Sequence, residues 1–423
     1  VSNSDGPLSW YAGASLYREE IDTLFVNSGD EDNFCNYYGN YYYPGNDITD
    51  CASYYEYLGY PPFEPSPDGL LTEPGRIIGE YTGWAAYLDL TYAFTDSFDV
   101  SFGARYTDDK KDFSINVPNP ESNLGAYWAY IFSTDGTINS SNSWSDTQLR
   151  VVGRYRVNDD HLVYASYTEG FKSGGFGSFS LVDANGDRVT GETDLNEADG
   201  YRSRQFEPES VDSYEIGYNG TFAEGRADLR LTGFLYDYKD LQISFFDTDS
   251  GANTVENVGQ VDGAGVEGSL TVAFSENWDL YLAASWLDTE ATGVQQVCDG
   301  ETVDSCEGSP LFWAPEWAGA AVLTGSFPLG NGAINASLEG FWEGERGGGW
   351  GAFPETTIDA NTQMALRIDY ISSGNWQAGV YVENLTDEFT YDGQNNNGGI
   401  LPSHFFGHRM PRTAGVRFRY SWE

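Results

Sequence analysis

Aromatic rings and carboxylates occur together in one stretch of this sequence, a combination that can bind a ligand. The stretch from Val26 to Tyr81 contains Tyr37, Tyr38, Tyr41, Tyr42, Tyr43, Tyr54, Tyr55, Tyr57 and Tyr60 beside Asp30, Glu31, Asp32, Asp47 and Asp50. Planar rings stack on a flat ligand, while carboxylates accept hydrogen bonds from its polar edge. Tyr41, Tyr42, Tyr43 and Tyr55 are therefore candidate ligand contacts. A loop that folds around its own tyrosines is the alternative, and the two can both hold.

Charged residues beside glycines give a second group of candidates. Lys172 opens a Lys-Ser-Gly-Gly-Phe stretch, which follows a predicted strand and precedes no helix, so it does not predict a phosphate cradle. Glu343 precedes a Gly-rich stretch that carries Arg346 and Trp350. Glycine there permits either a mobile gating loop or a tight hairpin tip. We take Lys172, Glu343, Arg346 and Trp350 as candidate ligand contacts at strand ends.

Metal binding and catalysis have weaker signals. Asp183, Asn185 and Asp187 place oxygen ligands at alternate positions around a Gly turn, which suits Ca²⁺, but in so acidic a chain a solvated turn is the favoured interpretation. The three histidines fall in separate segments, and no GxSxG or HExxH motif is present. We therefore expect neither an enzyme nor a cofactor, apart from a structural Ca²⁺ as a weak candidate.

The four cysteines form two local pairs in polar stretches. Cys35 lies near Cys51, and Cys298 lies near Cys306, without the CxxC spacing and adjacent histidines of a zinc site. The sequence predicts two loop disulfides formed in an oxidising compartment.

Composition bounds the fold and the partners. The 423 residues include 21 Lys plus Arg against 65 Asp plus Glu, a formal charge of −44, which argues against nucleic acid as a partner. The chain contains 12 Trp, 30 Tyr, 25 Phe and 50 Gly, a composition that favours strands over helices. No linker or break in composition divides it, and no helical periodicity is apparent. One all-β unit over residues 1–423 is predicted.

Period-two alternation recurs along the whole chain. From Ile358 to Tyr370, apolar residues alternate with Asp359, Asn361, Gln363, Arg367 and Asp369, so one face is apolar and the other suits water. About fourteen such strands are expected, each long enough to cross a membrane at a tilt. Their expected cores are Leu8 to Glu19, Gly83 to Phe94, Asp99 to Thr107, Gln148 to Val157, Leu162 to Phe171, Ser213 to Phe222, Ala227 to Leu241, Val266 to Phe274, Trp278 to Leu287, Trp317 to Phe327, Ile334 to Glu343, Ile358 to Tyr370, Trp376 to Leu385 and Ala414 to Trp422.

The connections between these strands alternate between short turns and long segments. Short turns such as Glu224 to Arg226 are followed by long segments such as Val26 to Tyr81. A membrane barrel sorts its connections in this way, with short turns on one side and long loops on the other. Aromatic residues cluster near the strand ends, as expected of two interfacial girdles, and include Trp84, Tyr92, Phe94, Trp278, Trp286, Trp317 and Trp376. The sequence predicts a transmembrane, antiparallel, up-and-down β-barrel.

Several motifs resemble the TonB-dependent receptors of the Gram-negative outer membrane. They are the segments Val163 to Phe176 (VYASYTEGFKSGGF), Phe206 to Tyr218 (FEPESVDSYEIGY), Phe234 to Gln242 (FLYDYKDLQ), Val382 to Asp387 (VENLTD) and Pro411 to Trp422 (PRTAGVRFRYSW). The resemblance extends from Trp10 to the end of the chain. It implies a barrel of twenty-two strands in the outer membrane, so this chain would be its C-terminal part, without the plug domain and the first strands.

The resemblance also implies a function and a set of partners. Extracellular loops and lumenal side chains would bind a scarce nutrient, and the plug would gate its entry under energy from the inner-membrane TonB complex. Outer-membrane lipid, the plug domain and the N-terminal barrel strands would be the other partners. Siderophore, haem, cobalamin and saccharide ligands remain open. The acidic charge favours a neutral glycan or similar metabolite over an anionic iron chelate. A passive pore closed by fourteen strands is the alternative, which a ladder between the first and last strands would support.

Overall fold

The structure is a computed structural model that describes residues 2–3, 6–125, 131–189, 191–247, 252–294, 307–311, 313–347, 357–395 and 405–422. Strands are numbered in chain order, and most of them form one antiparallel sheet, termed the wall. Its strands are β1 (Ser2–Asn3), β2 (Leu8–Asp30), β3 (Leu70–Ala93), β4 (Phe98–Asn116), β6 (Ile138–Asn158), β7 (His161–Lys172), β11 (Glu209–Phe222), β12 (Ala227–Lys239), β15 (Gln260–Ser275), β16 (Trp278–Thr292), β17 (Trp317–Leu329), β18 (Gly332–Glu343), β21 (Asn361–Ser372), β22 (Trp376–Glu383) and β25 (Thr413–Tyr420).

The remaining elements lie in the long connections and are termed the cap. They are α1 (Glu31–Tyr42), α2 (Cys51–Leu58), β5 (Phe132–Thr134), β8 (Gly175–Val182), β9 (Glu192–Leu195), β10 (Arg202–Phe206), β13 (Gln242–Asp247), β14 (Ala252–Asn257), β19 (Arg346–Gly347), β20 (Thr357–Ile358), β23 (Tyr391–Asn395) and β24 (Phe405–His408), with a 3-10 turn at Glu197–Asp199. In the described residues, neither helix is long and apolar enough to cross a membrane.

Each wall strand pairs with the wall strand that follows it in the chain. The order is therefore up-and-down, which places successive connections at opposite ends of the sheet. The connections at one end are short turns, and those at the other end are long. The expected short turn at Glu224 to Arg226 is confirmed between Phe222 and Ala227, and a turn of the same kind joins Ser275 to Trp278. Beyond the two-residue β1, the wall has fourteen strands in the described residues, as the alternation predicts.

Three details of the sequence prediction are wrong. The strands β2, β3, β4 and β6 are 23, 24, 19 and 21 residues long, because their pairing continues beyond the segments that show simple alternation. The connection expected from Val26 to Tyr81 as a loop contains two helices, although no helical periodicity was apparent. The strand expected from Ile358 to Tyr370 begins at Asn361, since Ile358 is buried in the small β19–β20 pair instead.

The two faces of the wall differ in polarity. On β16 the side chains of Leu280, Leu282 and Ala284 point outward, whereas Tyr281, Ala283 and Ser285 point inward. Trp278 and Trp286 bracket the outward set and are eight residues apart, or about 26 Å along the strand. This spacing is close to the apolar band, about 25 Å tall, of a membrane barrel.

The aromatic residues form the two expected girdles. Toward the short turns, Trp278 packs on Phe327 with ring centroids 5.3 Å apart, and Tyr370 packs on Trp376 at the same distance. Toward the long connections, Trp286 contacts the neighbouring Trp317. Rings at these two levels are typical of membrane interfaces on both sides of an apolar band.

The wall has two unpaired edges. Its order begins with β1 and β2 and ends with β25, and in the described residues no ladder joins these ends. The expectation that the chain does not close a barrel on its own terminal strands is therefore confirmed for the described part. A pore closed by these fourteen strands is not observed.

Most fully buried apolar side chains lie in the cap or in the strand extensions that enter it. One cluster joins Phe113 and Ile115 of β4 to Phe132, Ile138 and Leu181. A second cluster joins Ile243 and Val258 to Val261, Ala291 and Val294. The long connections therefore fold into compact structure with their own hydrophobic cores.

Candidate functional site

The inward face of the wall carries ion pairs at successive levels. Arg367 of β21 donates to Glu339 at 2.6 Å and to Glu383 at 2.8 Å, so it links three adjacent strands. Nearer the short turns, Asp99 accepts from both Arg154 and Arg156 at 2.7 Å. Because these side chains face a space that water can fill, polar interactions are tolerated there, as in the lumen of membrane barrels.

Cations and carboxylates both occupy this inward face. Ten of the 21 Lys and Arg residues occupy inward positions of the wall register, namely Arg105, Lys111, Arg150, Arg154, Arg156, Lys172, Arg230, Arg367, Arg417 and Arg419. The same register places carboxylates beside them, including Asp89, Asp99, Glu267, Glu339 and Asp369, so a lumenal ligand meets charges of both signs. Sequence reasoning from composition alone missed this, and the alternation of the strands was the signal that could have revealed it.

A polar concavity of about 660 Å³ lies on the inward face between β7 and β17. Arg230, Thr232 and Glu267 line it together with Ser269 and Tyr281. These residues offer both signs of charge, two hydroxyl groups and a phenol to whatever occupies the lumen. The arrangement can hold a polar ligand through several hydrogen bonds at once.

Three motif segments, which lie in two long connections and the strands beside them, meet at one point. This point, where the wall passes into the cap, is termed the junction. The side chain of Gln242 donates to the carbonyls of Ser173 and Glu207 at 3.0 Å, and its backbone N–H donates to Glu209 at 2.8 Å. Lys172 lies 3.6 Å from the same Glu209 carboxylate. The candidate Lys172 therefore makes a structural contact at the junction.

Lys111 fixes the start of the connection that follows β7. Its ammonium donates to the carbonyl of Gly174 at 2.6 Å and lies over the rings of Tyr81 and Trp144. Burial lowers its pKa. A Cβ on Gly174 would lie 2.5 Å from Trp144, so only glycine permits this approach. Lys111 and Trp144 were not among the sequence candidates, and no local motif marks them.

Residues 31–69, termed the tyrosine head, connect β2 to β3. Asp30 caps α1 by accepting from the N–H of Asn33, and Asp50 caps α2 by accepting from the N–H of Ser53. Cys35 and Cys51 form the expected disulfide, with an S–S distance of 2.01 Å. The other expected pair, Cys298 with Cys306, lies outside the described residues.

The four candidate tyrosines of the head have different environments. Tyr41 and Tyr42 are 51% and 58% exposed at the end of α1. Tyr43 packs against Tyr57 and is only partly exposed. Tyr55 is also partly buried, and burial raises its pKa. It packs on Phe63 and donates to the carbonyl of Asn123 at 3.4 Å. The loop therefore folds around part of its tyrosines and exposes the rest.

The candidates Glu343 and Arg346 belong to one network that ties two connections together. Glu343 accepts from Arg409 at 2.6 Å, from Asn361 at 2.8 Å and from Arg346 at 3.5 Å. Arg409 also donates to Asp392 at 2.5 Å. One carboxylate oxygen of Glu343 and two guanidinium nitrogens of Arg346 are thus engaged within the protein. Sequence reasoning missed Asn361, Asp392 and Arg409. The candidate Trp350 lies outside the described residues.

The acidic turn at Asp183 is a hairpin tip. The Asp183 carboxylate accepts from the backbone N–H groups of Asn185 at 2.8 Å and of Asp187 at 2.9 Å. These hydrogen bonds lower the pKa of Asp183. Within the described part of the chain, no three acidic, His or Cys side chains are grouped in a way that could hold a metal ion.

An antiparallel wall with an apolar outer face, aromatic girdles and a polar inner face defines the class of integral β-barrel membrane proteins. The family model described as "TonB dependent receptor-like, beta-barrel" matches residues 2–385. The chain therefore belongs to the TonB-dependent receptor family, and it is a protein of the outer membrane of a Gram-negative bacterium.

Individual relatives agree with this assignment. The pesticin receptor of Yersinia enterocolitica is 23% identical over 345 residues, which cover 79% of this chain and 43% of the receptor. The ferric yersiniabactin uptake receptor FyuA from Yersinia pestis has the same fold, with a TM-score of 0.64, 16% identity and coverage of 100% of this chain and 56% of that chain. For the siderophore receptor PiuA from Acinetobacter baumannii the TM-score is 0.64, with 15% identity and coverage of 99% and 54%. The chain spans about half the length of these relatives.

Proposed function

We propose that the protein takes up a ferric siderophore across the outer membrane, with energy from the TonB complex. Family membership supports the transport mechanism, and the relatives named above are receptors for pesticin or siderophores. The composition favoured a neutral ligand. The relatives support a siderophore instead, and an inward cation such as Arg230 could pair with an anionic chelate, because a ligand in the lumen meets this side chain directly. The concavity that contains Arg230 is the proposed contact on the inward face.

The cap supplies the outer part of the proposed ligand site. Tyr41 and Tyr42 are the sequence candidates whose rings are open to solvent, whereas Lys172, Glu343 and Arg346 shape the mouth through their contacts within the protein. The junction and Lys111 would set the position of the connections around the ligand. No catalytic role is proposed for any of these residues.

We also propose that the open edges of the wall pair with the N-terminal strands of the barrel. Thr413–Tyr420 and Leu8–Asp30 would otherwise expose backbone N–H and C=O groups to lipid, where each unsatisfied group costs on the order of several kcal/mol. A plug domain inside the completed barrel would then gate the lumen. Both belong to the proposal, since the described residues contain neither.

Uptake of radioactive iron by cells tests this function. Cells that express the full-length receptor should accumulate iron from a ferric siderophore panel, such as ferric yersiniabactin, only when TonB is functional. The Arg230→Gln variant should raise the half-saturating concentration, and Arg226→Gln in a short turn is the matched control. Iron uptake that is independent of TonB would favour a pore, and uptake of labelled oligosaccharide alone would move the proposal to glycans.

A further inference from the structure

The tyrosine head carries carboxylates but no cationic side chain. Its residues 31–69 include seven carboxylates and no Lys, Arg or His, the carboxylates being Glu31, Asp32, Asp47, Asp50, Glu56, Glu64 and Asp68. Glu31 is buried, where it accepts from the N–H of Ser66. Asp32, Asp47 and Glu56 are exposed. The surface of the head therefore attracts cations and has no cation of its own to pair with these carboxylates.

Exposed aromatic rings accompany this charge. Tyr41, Tyr42, Tyr57 and Tyr60 are 51%, 58%, 46% and 60% exposed. Tyrosine is enriched at the centre of protein interfaces, where its ring gives a large contact area and its hydroxyl a hydrogen bond. Four such rings are exposed on this one connection.

The rings are held in place before any partner arrives. Tyr37 stacks on Tyr41 and Tyr38 stacks on Tyr42 along α1, with interplanar angles of 12° and 15°. The Cys35–Cys51 disulfide then joins α1 to α2. Pre-ordering of this kind lowers the entropy that binding must overcome.

We propose that the tyrosine head is a docking surface for an arginine-rich segment of another polypeptide. Carboxylates attract the segment, and the guanidinium groups stack on the exposed tyrosine rings while they donate to neighbouring carboxylates. This surface shares Tyr41 and Tyr42 with the outer part of the proposed ligand site, but the inference concerns a polypeptide partner and does not depend on which nutrient is carried.

Arginine is preferred to lysine for a physical reason. The planar guanidinium is weakly hydrated and can stack and donate hydrogen bonds at the same time, whereas the compact ammonium keeps its water shell. A neutral glycan could also stack on tyrosine, but it would leave the carboxylates of the head without a partner of opposite charge. The combination of rings and uncompensated acids therefore favours the cationic polypeptide.

Titration of the full-length receptor in detergent with defined probes tests the inference. The probes are a fluorescent arginine-rich peptide, a lysine-rich peptide of equal length and charge, and a neutral oligosaccharide. We expect the dissociation constant of the arginine peptide to be about tenfold lower than that of the lysine peptide. A few exposed cation–π contacts that only the guanidinium groups make would account for a difference of this size. Binding of both peptides should weaken as salt is added.

Substitutions separate the rings from the charges. Replacement of Tyr41, Tyr42, Tyr57 and Tyr60 by Ser should remove the preference for arginine, whereas replacement of the same four residues by Phe keeps the rings and should retain it. The Asp47→Asn, Glu56→Gln variant should weaken both peptides equally. The proposal would be overturned if the wild type and the Ser variant bound the arginine peptide equally. The folded Phe variant, which keeps the rings, is the control for this comparison. Oligosaccharide binding that requires the rings would instead assign the surface to glycans.

Discussion

In the wall, the outward side chains of Leu16, Ile216 and Val416 are 85%, 62% and 82% exposed on the protein surface, whereas Ile115 and Ile138 near the cap are fully buried. The outward side chains contact lipid tails, which are equally apolar. Pairing of the strands within the membrane therefore releases no water from these side chains. The wall therefore depends on its backbone ladders, which satisfy polar groups that lipid cannot. The cap is surrounded by water, and its two apolar clusters are stabilised by the hydrophobic effect.

The difference explains where side-chain identity matters. In the wall an outward position needs only an apolar side chain, because lipid adapts to its shape. In the cap each buried side chain fills a fixed volume among its neighbours, and a change of volume leaves a cavity or a clash. Substitutions in the two regions should therefore follow different rules.

The largest expected effect is from truncation in the cap core. Phe132 is 1% exposed and packs with Phe113, Ile115 and Leu181. The Phe132→Ala variant should lower the free energy of cap opening by about 3–5 kcal/mol, through lost burial and a new cavity. Hydrogen exchange of cap amides, measured by mass spectrometry in detergent, gives this energy.

Phe102→Ala on the outward face of β4 is the matched control. Its ring is 44% exposed toward lipid, so its removal should leave exchange in the cap unchanged. Equal acceleration of hydrogen exchange in the cap by the two substitutions would show that the wall and the cap unfold as one unit. This result would contradict the different rules expected for the two regions.

Adjacent residues of β16 give the second test, because they face opposite sides of the wall. Leu282 points outward midway between Trp278 and Trp286, whereas Ala283 points into the polar concavity. Leu282→Arg should destabilise the folded barrel by about 2–4 kcal/mol, and Ala283→Arg should cost much less. Urea titration of the full-length protein in lipid vesicles, followed by heat modifiability on gels, measures both. A larger cost for Ala283→Arg would mean that the faces are assigned the wrong way round.

The same contrast explains what the sequence could reveal. The wall was predictable, since lipid on one side and water on the other impose strict alternation, and the girdle residues Trp278 and Trp376 mark its limits. The cap was not, because its contacts join residues far apart in the chain. Lys111 reaches Gly174, and Arg409 reaches Glu343, without any local pattern that pairs them. The helices α1 and α2 escaped notice since tyrosines surround them on several sides, which hides helical periodicity.

Net charge does not show where the charges lie. The formal charge of −44 suggested a mouth that repels anions, and it does not reveal that cations such as Arg230 and Arg367 lie on the inward face beside carboxylates such as Glu267 and Glu339, where alternation keeps them all away from lipid. Composition averages over both faces and both regions. A prediction about a ligand needs the charge of the surface that the ligand meets.

The smallest expected effect is the pH response of a helix cap in the tyrosine head. The N–H of Ser53 donates to the Asp50 carboxylate, and this backbone hydrogen bond, together with the Ser53 hydroxyl, lowers the pKa of Asp50 from its ordinary value of 3.8. Because the pKa of Asp50 is lowered in the folded state, its contact with Ser53 contributes stability above pH 3.8. This contribution is lost as the pH falls through the lower pKa of the folded state. The amide NMR signal of Ser53 should therefore shift only in strongly acidic solution. Asp50→Asn keeps a neutral cap with no proton to gain, so its Ser53 signal should stay constant over the same range. A Ser53 shift of equal size in both proteins would mean that acid loosens the head through its other carboxylates. Protonation of Asp50 would then have no separate effect on α2, which the disulfide also holds.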